Sequence, residues 1–267
     1  MRVWTVANQK GGVGKTTTVV SLGGLCAQRG HRTLLVDLDP HGSLSSYFGL
    51  DPEAVKPGLY ELFRNDGAMD PDMLRETGVD DLMLLPASTA LATLDRQLGT
   101  RKGMGLILRR ALDALHGQFE RVLLDCPPML GVLMVNALAA SQRVVIPVQT
   151  EFLAVKGLER MTRTLSMIQQ SRGHEQPHVI VPTLYDPRTR ASVETLSLLR
   201  DDYPDSLWDD VIPEDTLFRE ASKQAMPLTV LRPWARGSQA YRRLLTYIEA
   251  AGDDDRYAKV MGNDAAI

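Results

Sequence analysis

The sequence predicts an α/β fold, a doubly wound, mainly parallel sheet with helices on both faces. Three observations carry that reading. Short apolar runs alternate with helical periods along the chain. The runs are β-branched or Leu-rich without clean polar alternation, the pattern of strands covered on both faces. The first run passes through a Gly-rich turn straight into a helix.

Taken in order, Arg2–Ala7 is the first strand, Lys15–Arg29 a helix and Thr33–Leu38 the second strand. Asp51–Asp72 is irregular, with several Pro and Gly, and is expected to cover the active-site edge as loops and short helices. Leu82–Leu85, Val122–Leu124, Val144–Val148, Val179–Leu184 and Leu207–Ile212 are the remaining strand candidates. Over Met104–His116, residues Ile107, Leu108, Ala111, Leu112 and Leu115 fall on one face, with Arg109, Arg110 and Asp113 opposite. Over Ala154–Gln170, Leu158, Met161, Leu165 and Ile168 share a face, and Lys156, Arg160 and Arg163 share the other. Tyr241, Leu244, Leu245 and Ile248 make a last docking stripe. Gly252–Ile267 carries four Asp against one Arg and one Lys and is expected to fray. The expected organisation is one domain over 1–251 and a flexible acidic tail over 252–267.

Composition narrows the function. Hydrophobic residues are 44% and charged residues 24%, which excludes disorder as the main state of the 267 residues. No apolar run approaches the ~20 residues of a bilayer helix, and MRVWTVANQK lacks a secretory core, so a cytoplasmic protein is expected. The net charge of -3 is not the balance of a dedicated nucleic-acid binder. Cys26 and Cys126 form no CxxC pair, and the five histidines show no metal-ligand spacing.

Lys10-Gly11-Gly12-Val13-Gly14-Lys15-Thr16-Thr17 stands between the first strand and its helix. Glycines there let backbone N–H groups converge on phosphate oxygens, and the helix N-terminus adds its positive dipole end. Lys15 is expected to reach the β- and γ-phosphates, the Thr16 hydroxyl to coordinate Mg²⁺, and Thr17 to donate to the α-phosphate. Two further apolar strands end in carboxylates: Asp37 and Asp39 after the second, and Asp125 after Val122-Leu123-Leu124. The last is a Walker B pattern, expected to hold Mg²⁺ through a water.

KGGVGKTT resembles the deviant Walker A box of the ParA/MinD ATPases, with Lys10 as its extra lysine. Asp37-Leu38-Asp39-Pro40-His41, Asp125-Cys126-Pro127-Pro128 and Pro147-Val148-Gln149-Thr150-Glu151 with Gly157-Leu158 are similar to later boxes of that family, in the same order. His41 stands where the family has Gln. The resemblance implies a P-loop NTPase fold, ATP and Mg²⁺ as ligands, slow hydrolysis, and an ATP-dependent homodimer in which Lys10 reaches the partner's phosphates. It implies Lys10, Lys15 and Asp39 as catalytic residues, Asp39 positioning the attacking water. Gly11, Gly12, Val13, Gly14, Lys15, Thr16 and Thr17 bind nucleotide, and Thr16, Asp37 and Asp125 serve the metal.

The acidic tail disfavours the membrane-binding helix of MinD-like members, so no membrane partner is expected. The phosphate loop begins at residue 10, so the N-terminal DNA-reading domain of larger partition proteins is not expected. No second cluster ligand supports an iron–sulfur reductase, and no acceptor-substrate motif supports a kinase or ligase. DPHGSLSSYFG with Tyr185-Asp186-Pro187-Arg188-Thr189-Arg190 is similar to the ParC-type ATPases, which place chemotaxis arrays at the cell pole with a ParP-like partner. That implies a polar positioning switch with such an array protein or a polar anchor; the alternative is a nucleoid-binding partition ATPase. Lys156, Arg160, Arg163, Arg188, Arg190, Arg236, Arg242 and Arg243 offer a basic surface, but Glu214 and Asp215 repel phosphate, so nonspecific DNA binding is expected to be weak.

Overall fold

The computed structural model describes residues 1–98, 104–173 and 175–251. Seven strands form one sheet: β1 (Arg2–Val6), β2 (Thr33–Asp37), β3 (Arg75–Glu76), β4 (Leu82–Leu85), β5 (Arg121–Asp125), β6 (Arg143–Gln149) and β7 (His178–Thr183). Their order is β3-β4-β2-β5-β1-β6-β7, and every pairing but β3 with β4 is parallel. The chain winds outward from β1 in both directions, so β1 sits at the switch point where α/β sheets open a ligand crevice at their carboxyl edge.

Both faces are covered, as the unalternating runs require. Along β2, Leu34 and Val36 pack into one core and Leu35 into the other. Val122, Leu123 and Leu124 of β5 divide the same way, as do Val144, Val145 and Ile146 of β6. One core is closed by helices Ile107–Ala114, Val132–Ala140 and Phe152–Arg172 through Leu108, Met134, Leu158 and Met161. The other is closed by helices Lys15–Gln28 and Arg236–Ala250 through Val19, Leu22, Tyr241, Leu244 and Leu245.

Two expectations change, and one short strand is added. Leu207–Ile212 is not a strand: it contributes an isolated bridge from Leu207 to Ile180, and Pro213 bridges to Tyr185, so it runs beside β7 without joining the ladder. The antiparallel β3 is two residues long, too short to leave a periodic signal. Met104–His116 divides into a 3₁₀ turn over Met104–Leu106 and a helix over Ile107–Ala114. Within Asp51–Asp72 lies the helix Leu59–Arg64, whose Leu59, Leu62 and Phe63 join the first core, and a 3₁₀ turn over Pro71–Met73 begins at the end of that stretch. The expected tail, 252–267, lies outside the described residues. No described helix is long and apolar enough to cross a membrane.

Candidate nucleotide site

The loop after β1 enters its helix through Gly14, whose φ of 89° lies in the left-handed region that side chains avoid. Below the loop, the Thr183 hydroxyl at the end of β7 donates to the Val13 carbonyl at 2.8 Å. The Lys15 ammonium donates to the Lys10 carbonyl at 2.9 Å and is almost fully buried. Burial lowers its pKa, against the opposing charges of Asp125 and Asp39. A buried cation at the start of a helix entered through a left-handed glycine suits a polyphosphate.

Asp37 and Asp125 end neighbouring strands and are register partners. The Thr16 hydroxyl donates to Asp125 Oδ2 at 2.7 Å, and Asp125 Oδ1 is buried with no hydrogen-bond partner among the described residues. Burial, then the charge of Asp37, raises the Asp125 pKa well above the usual carboxylate range. Among the described residues no cluster of three or more His, Cys, Asp or Glu can hold a metal alone. A hydroxyl beside an orphaned buried carboxylate oxygen nevertheless fits Mg²⁺, which takes few protein ligands and completes its shell with water and phosphate oxygens.

Asp37 is fully buried and more tightly bound than its neighbour. Its Oδ2 accepts from the Ser45 amide at 2.8 Å and the Ser45 hydroxyl at 2.7 Å, and its Oδ1 accepts from the Asp39 amide at 3.1 Å. Burial nonetheless pushes its pKa up to about 7. Asp37 thus anchors the loop that carries Asp39. Asp39 Oδ1 accepts from the His41 amide at 3.0 Å and meets His41 Nδ1 at 2.8 Å. Ser45 was invisible as a site residue because the sequence offers it only as one serine in a polar turn.

Lys10 parts company with Lys15. Its ammonium pairs with Glu151 Oε1 at 2.8 Å, beyond the end of β6. Gly157 makes room for this segment: a Cβ there would lie 2.9 Å from Lys10 Cβ and 3.0 Å from Asn8 Oδ1. Gln9 is tied to the same helix by its bond to Thr164 Oγ1 at 2.7 Å. Cys126 is buried, which raises its pKa and keeps it a thiol.

A cavity of about 150 Å³ opens beside Gly14 and Thr17, lined also by Ile212, Pro213, Phe218 and Tyr241. A larger one, about 530 Å³, continues past Pro213–Thr216 to Tyr185, Asp186 and Arg188. The structure therefore gathers Lys15, Thr16, Thr17, Asp37, Asp39 and Asp125 at one sheet edge, with Lys10 at its β6 side.

A family described as an AAA domain matches residues 1–177. The sporulation initiation inhibitor protein Soj of Bacillus subtilis is 34% identical over 252 residues, 94% of this chain and 99% of that protein. The chromosome partitioning protein ParA of Caulobacter vibrioides is 36% identical over 265 residues, 97% of each chain. Among solved structures, one described as cobyrinic acid a,c-diamide synthase from Mycobacterium smegmatis, with an ATP analog and magnesium bound, is 36% identical. It superposes with a TM-score of 0.81 over 96% of this chain and 98% of that one.

Proposed function

Because the chain belongs to the ParA/Soj family of ATPases, we propose that it is an ATP-driven dimerisation switch that positions a cellular cargo. The observation that carries the proposal is the separation of the two loop lysines: Lys15 lies under the loop, while Lys10 is held outside it by Glu151. One cation serves its own phosphates and the other is left for a facing subunit. Two exposed apolar pairs, Met129–Leu130 after β5 and Phe152–Leu153 after β6, flank the loop and suit a face that closes against a second copy.

In this reading MgATP binds along Gly11, Gly12, Val13, Gly14, Lys15, Thr16 and Thr17, with the base and ribose in the cleft at Pro213–Thr216. Thr16 and Asp125 hold Mg²⁺, which neutralises phosphate charge when bound, and Asp37 supports its water shell from the second strand. Asp39 positions the attacking water in a slow hydrolysis. The ATP dimer engages a partner, and hydrolysis returns monomers.

The proposed cargo is a chemotaxis array at the cell pole, engaged through a ParP-like protein or a polar anchor. The alternative is DNA partition, favoured by the names of the Soj and ParA relatives. Against DNA, several of the basic side chains face a carboxylate: Arg188 pairs with Asp186, Arg190 with Glu194, Lys156 with Glu159, and Arg243 with Asp210. Fluorescent fusions distinguish the two. Polar foci that disperse in Lys15→Ala support the array reading; nucleoid staining that depends on ATP overturns it. ATP turnover that requires a small acceptor molecule overturns the switch itself.

A further inference from the structure

We infer that Glu151 is a latch on Lys10, a positioning residue that stores the lysine in its own subunit and sets how readily the ATP dimer forms. The inference rests on the proposed trans role of Lys10. In the single subunit the Lys10 ammonium and Glu151 Oε1 are 2.8 Å apart, with the two side chains 25% and 39% exposed. Both ends of Lys10 are engaged, its carbonyl by Lys15 and its ammonium by Glu151. The segment is further fixed by Arg160, which donates to the Gln9 carbonyl at 3.2 Å, and by the close approach at Gly157. Lys10 cannot leave for a partner's phosphate without breaking the Glu151 pair.

Among the described residues the Glu151 side chain has Lys10 as its partner, while its backbone carbonyl accepts from the Ala154 amide at 3.0 Å. Glu151 occupies the N-cap position of the Phe152–Arg172 helix, yet its side chain makes no capping hydrogen bond. The carboxylate therefore competes with phosphate for one cation. Phosphate carries more charge and more acceptor oxygens, so the exchange is favourable when ATP is in place and reverses when the γ-phosphate leaves. The latch thereby adds a cost that only bound ATP can offset and favours separation after hydrolysis.

The size of the effect follows from exposure. A half-exposed pair changes an equilibrium by about two- to fivefold, and a symmetric dimer opens two of them. Glu151→Gln should tighten the ATP-dependent dimer on the order of tenfold. Because Gln can still accept from Lys10, Glu151→Ala is measured beside it and should move the same way.

Sedimentation or size-exclusion titrations of the full chain with ATP and Mg²⁺ read the dimer dissociation constant, with calorimetry confirming unchanged ATP affinity. Without ATP, where Lys10 has no partner phosphate to reach, both variants should dimerise no more than wild type, and a dimer gained without ATP would mean that Glu151 acts otherwise than by holding Lys10. An unchanged or weakened dimer with ATP in both variants overturns the latch while leaving the switch intact. Lys10→Ala supplies the other control, since it should lose the dimer, and Glu151→Gln added to it should restore nothing. If Lys10→Ala alone dimerises like wild type, the trans role fails. If the double variant regains the dimer, Glu151 acts without Lys10 and the latch is wrong.

Discussion

Asp37 and Asp125 are register partners on adjacent parallel strands, so two carboxyl groups leave the sheet on the same face at its carboxyl end. Both are buried, and like charges at that spacing cannot both ionise cheaply. Burial therefore raises the pKa of both carboxyls, and the charge of Asp37 adds to the rise at Asp125.

The rise at Asp37 gives the ligand-free protein a pH dependence. Burial pushes the Asp37 pKa up to about 7, against roughly 3.9 for an unfolded Asp. Between those values the folded chain holds a proton that the unfolded chain has released. Stability therefore falls as pH rises from about 4 to about 7. Asp186, held down to about 2 by Arg188, acts in the opposite sense but only below about pH 4. Melting temperatures between pH 4.5 and 7.5 should decline without ligand, and the decline should shrink with MgATP and in Asp37→Asn. An equal slope in the variant would remove Asp37 from the effect.

Lys15→Ala should abolish useful nucleotide binding, with a loss of at least about 100-fold. The side chain is the buried cation of the loop, and a charge-assisted bond of that kind contributes about 3 kcal/mol. Calorimetry with ATP checks it, and unchanged affinity would mean that phosphate binds elsewhere.

Asp39→Ala should keep ATP and trap the dimer. Among the described residues the Asp39 side chain bonds only within its own loop, through His41, so its removal leaves the contacts of Lys15 and the Thr16–Asp125 pair in place and takes away only a nearby charge. Turnover should fall to background, about 10²-fold or more, while the dimer persists on size-exclusion chromatography. Normal turnover would take Asp39 out of the mechanism.

Gly157→Ala tests the packing that fixes Lys10. The added methyl would meet Lys10 Cβ at 2.9 Å and Asn8 Oδ1 at 3.0 Å, and neither is the free end of a long chain. Stability should drop by about 1–3 kcal/mol, as for other overpacked sites. Dimerisation should weaken as Lys10 is displaced, with Lys15 still binding ATP. Wild-type unfolding and dimer constants would show that the close approach carries nothing.

The parts of this molecule with local signatures were legible in its sequence. The Gly-rich turn, the apolar runs ending in Asp37 and Asp125, and the stripe Tyr241, Leu244, Leu245 and Ile248 each follow from neighbours in the chain. Contacts made at a distance were not. Ser45 reaches Asp37 across eight residues, and Lys10 meets Glu151 across 141, so no spacing rule joins them. Leu207–Ile212 looked like a strand because its apolar content is that of one. It lies beside β7 in isolated bridges, where tertiary packing overrides β-propensity. The cleft at Pro213–Thr216 arises where that segment passes the loop, which only the fold brings about.

DNA affinity separates the two cargo readings. Lys156, Arg160, Arg163, Arg188, Arg190, Arg236, Arg242 and Arg243 are all on the chain's surface or its margins, and a dimer would double their number. Several of these charges are nevertheless met by a carboxylate in the same subunit. Arg188 is 86% exposed yet held bidentate by Asp186, and Arg190, 90% exposed, is held by Glu194. Arg236 donates to the Glu214 carbonyl, beside the Glu214 and Asp215 side chains that line the cleft. Each exposed pair is weak alone and phosphate can displace a carboxylate, but every displacement leaves a carboxylate facing the DNA. Binding at ~150 mM salt should therefore be weak or absent even with ATP. Any binding at low salt should fall steeply as salt rises, because counterion release alone drives it. Filter binding or anisotropy with random duplex, with and without ATP, measures both. Tight binding at physiological salt that needs ATP and is lost in Arg188→Glu would overturn the polar-positioning reading in favour of DNA partition.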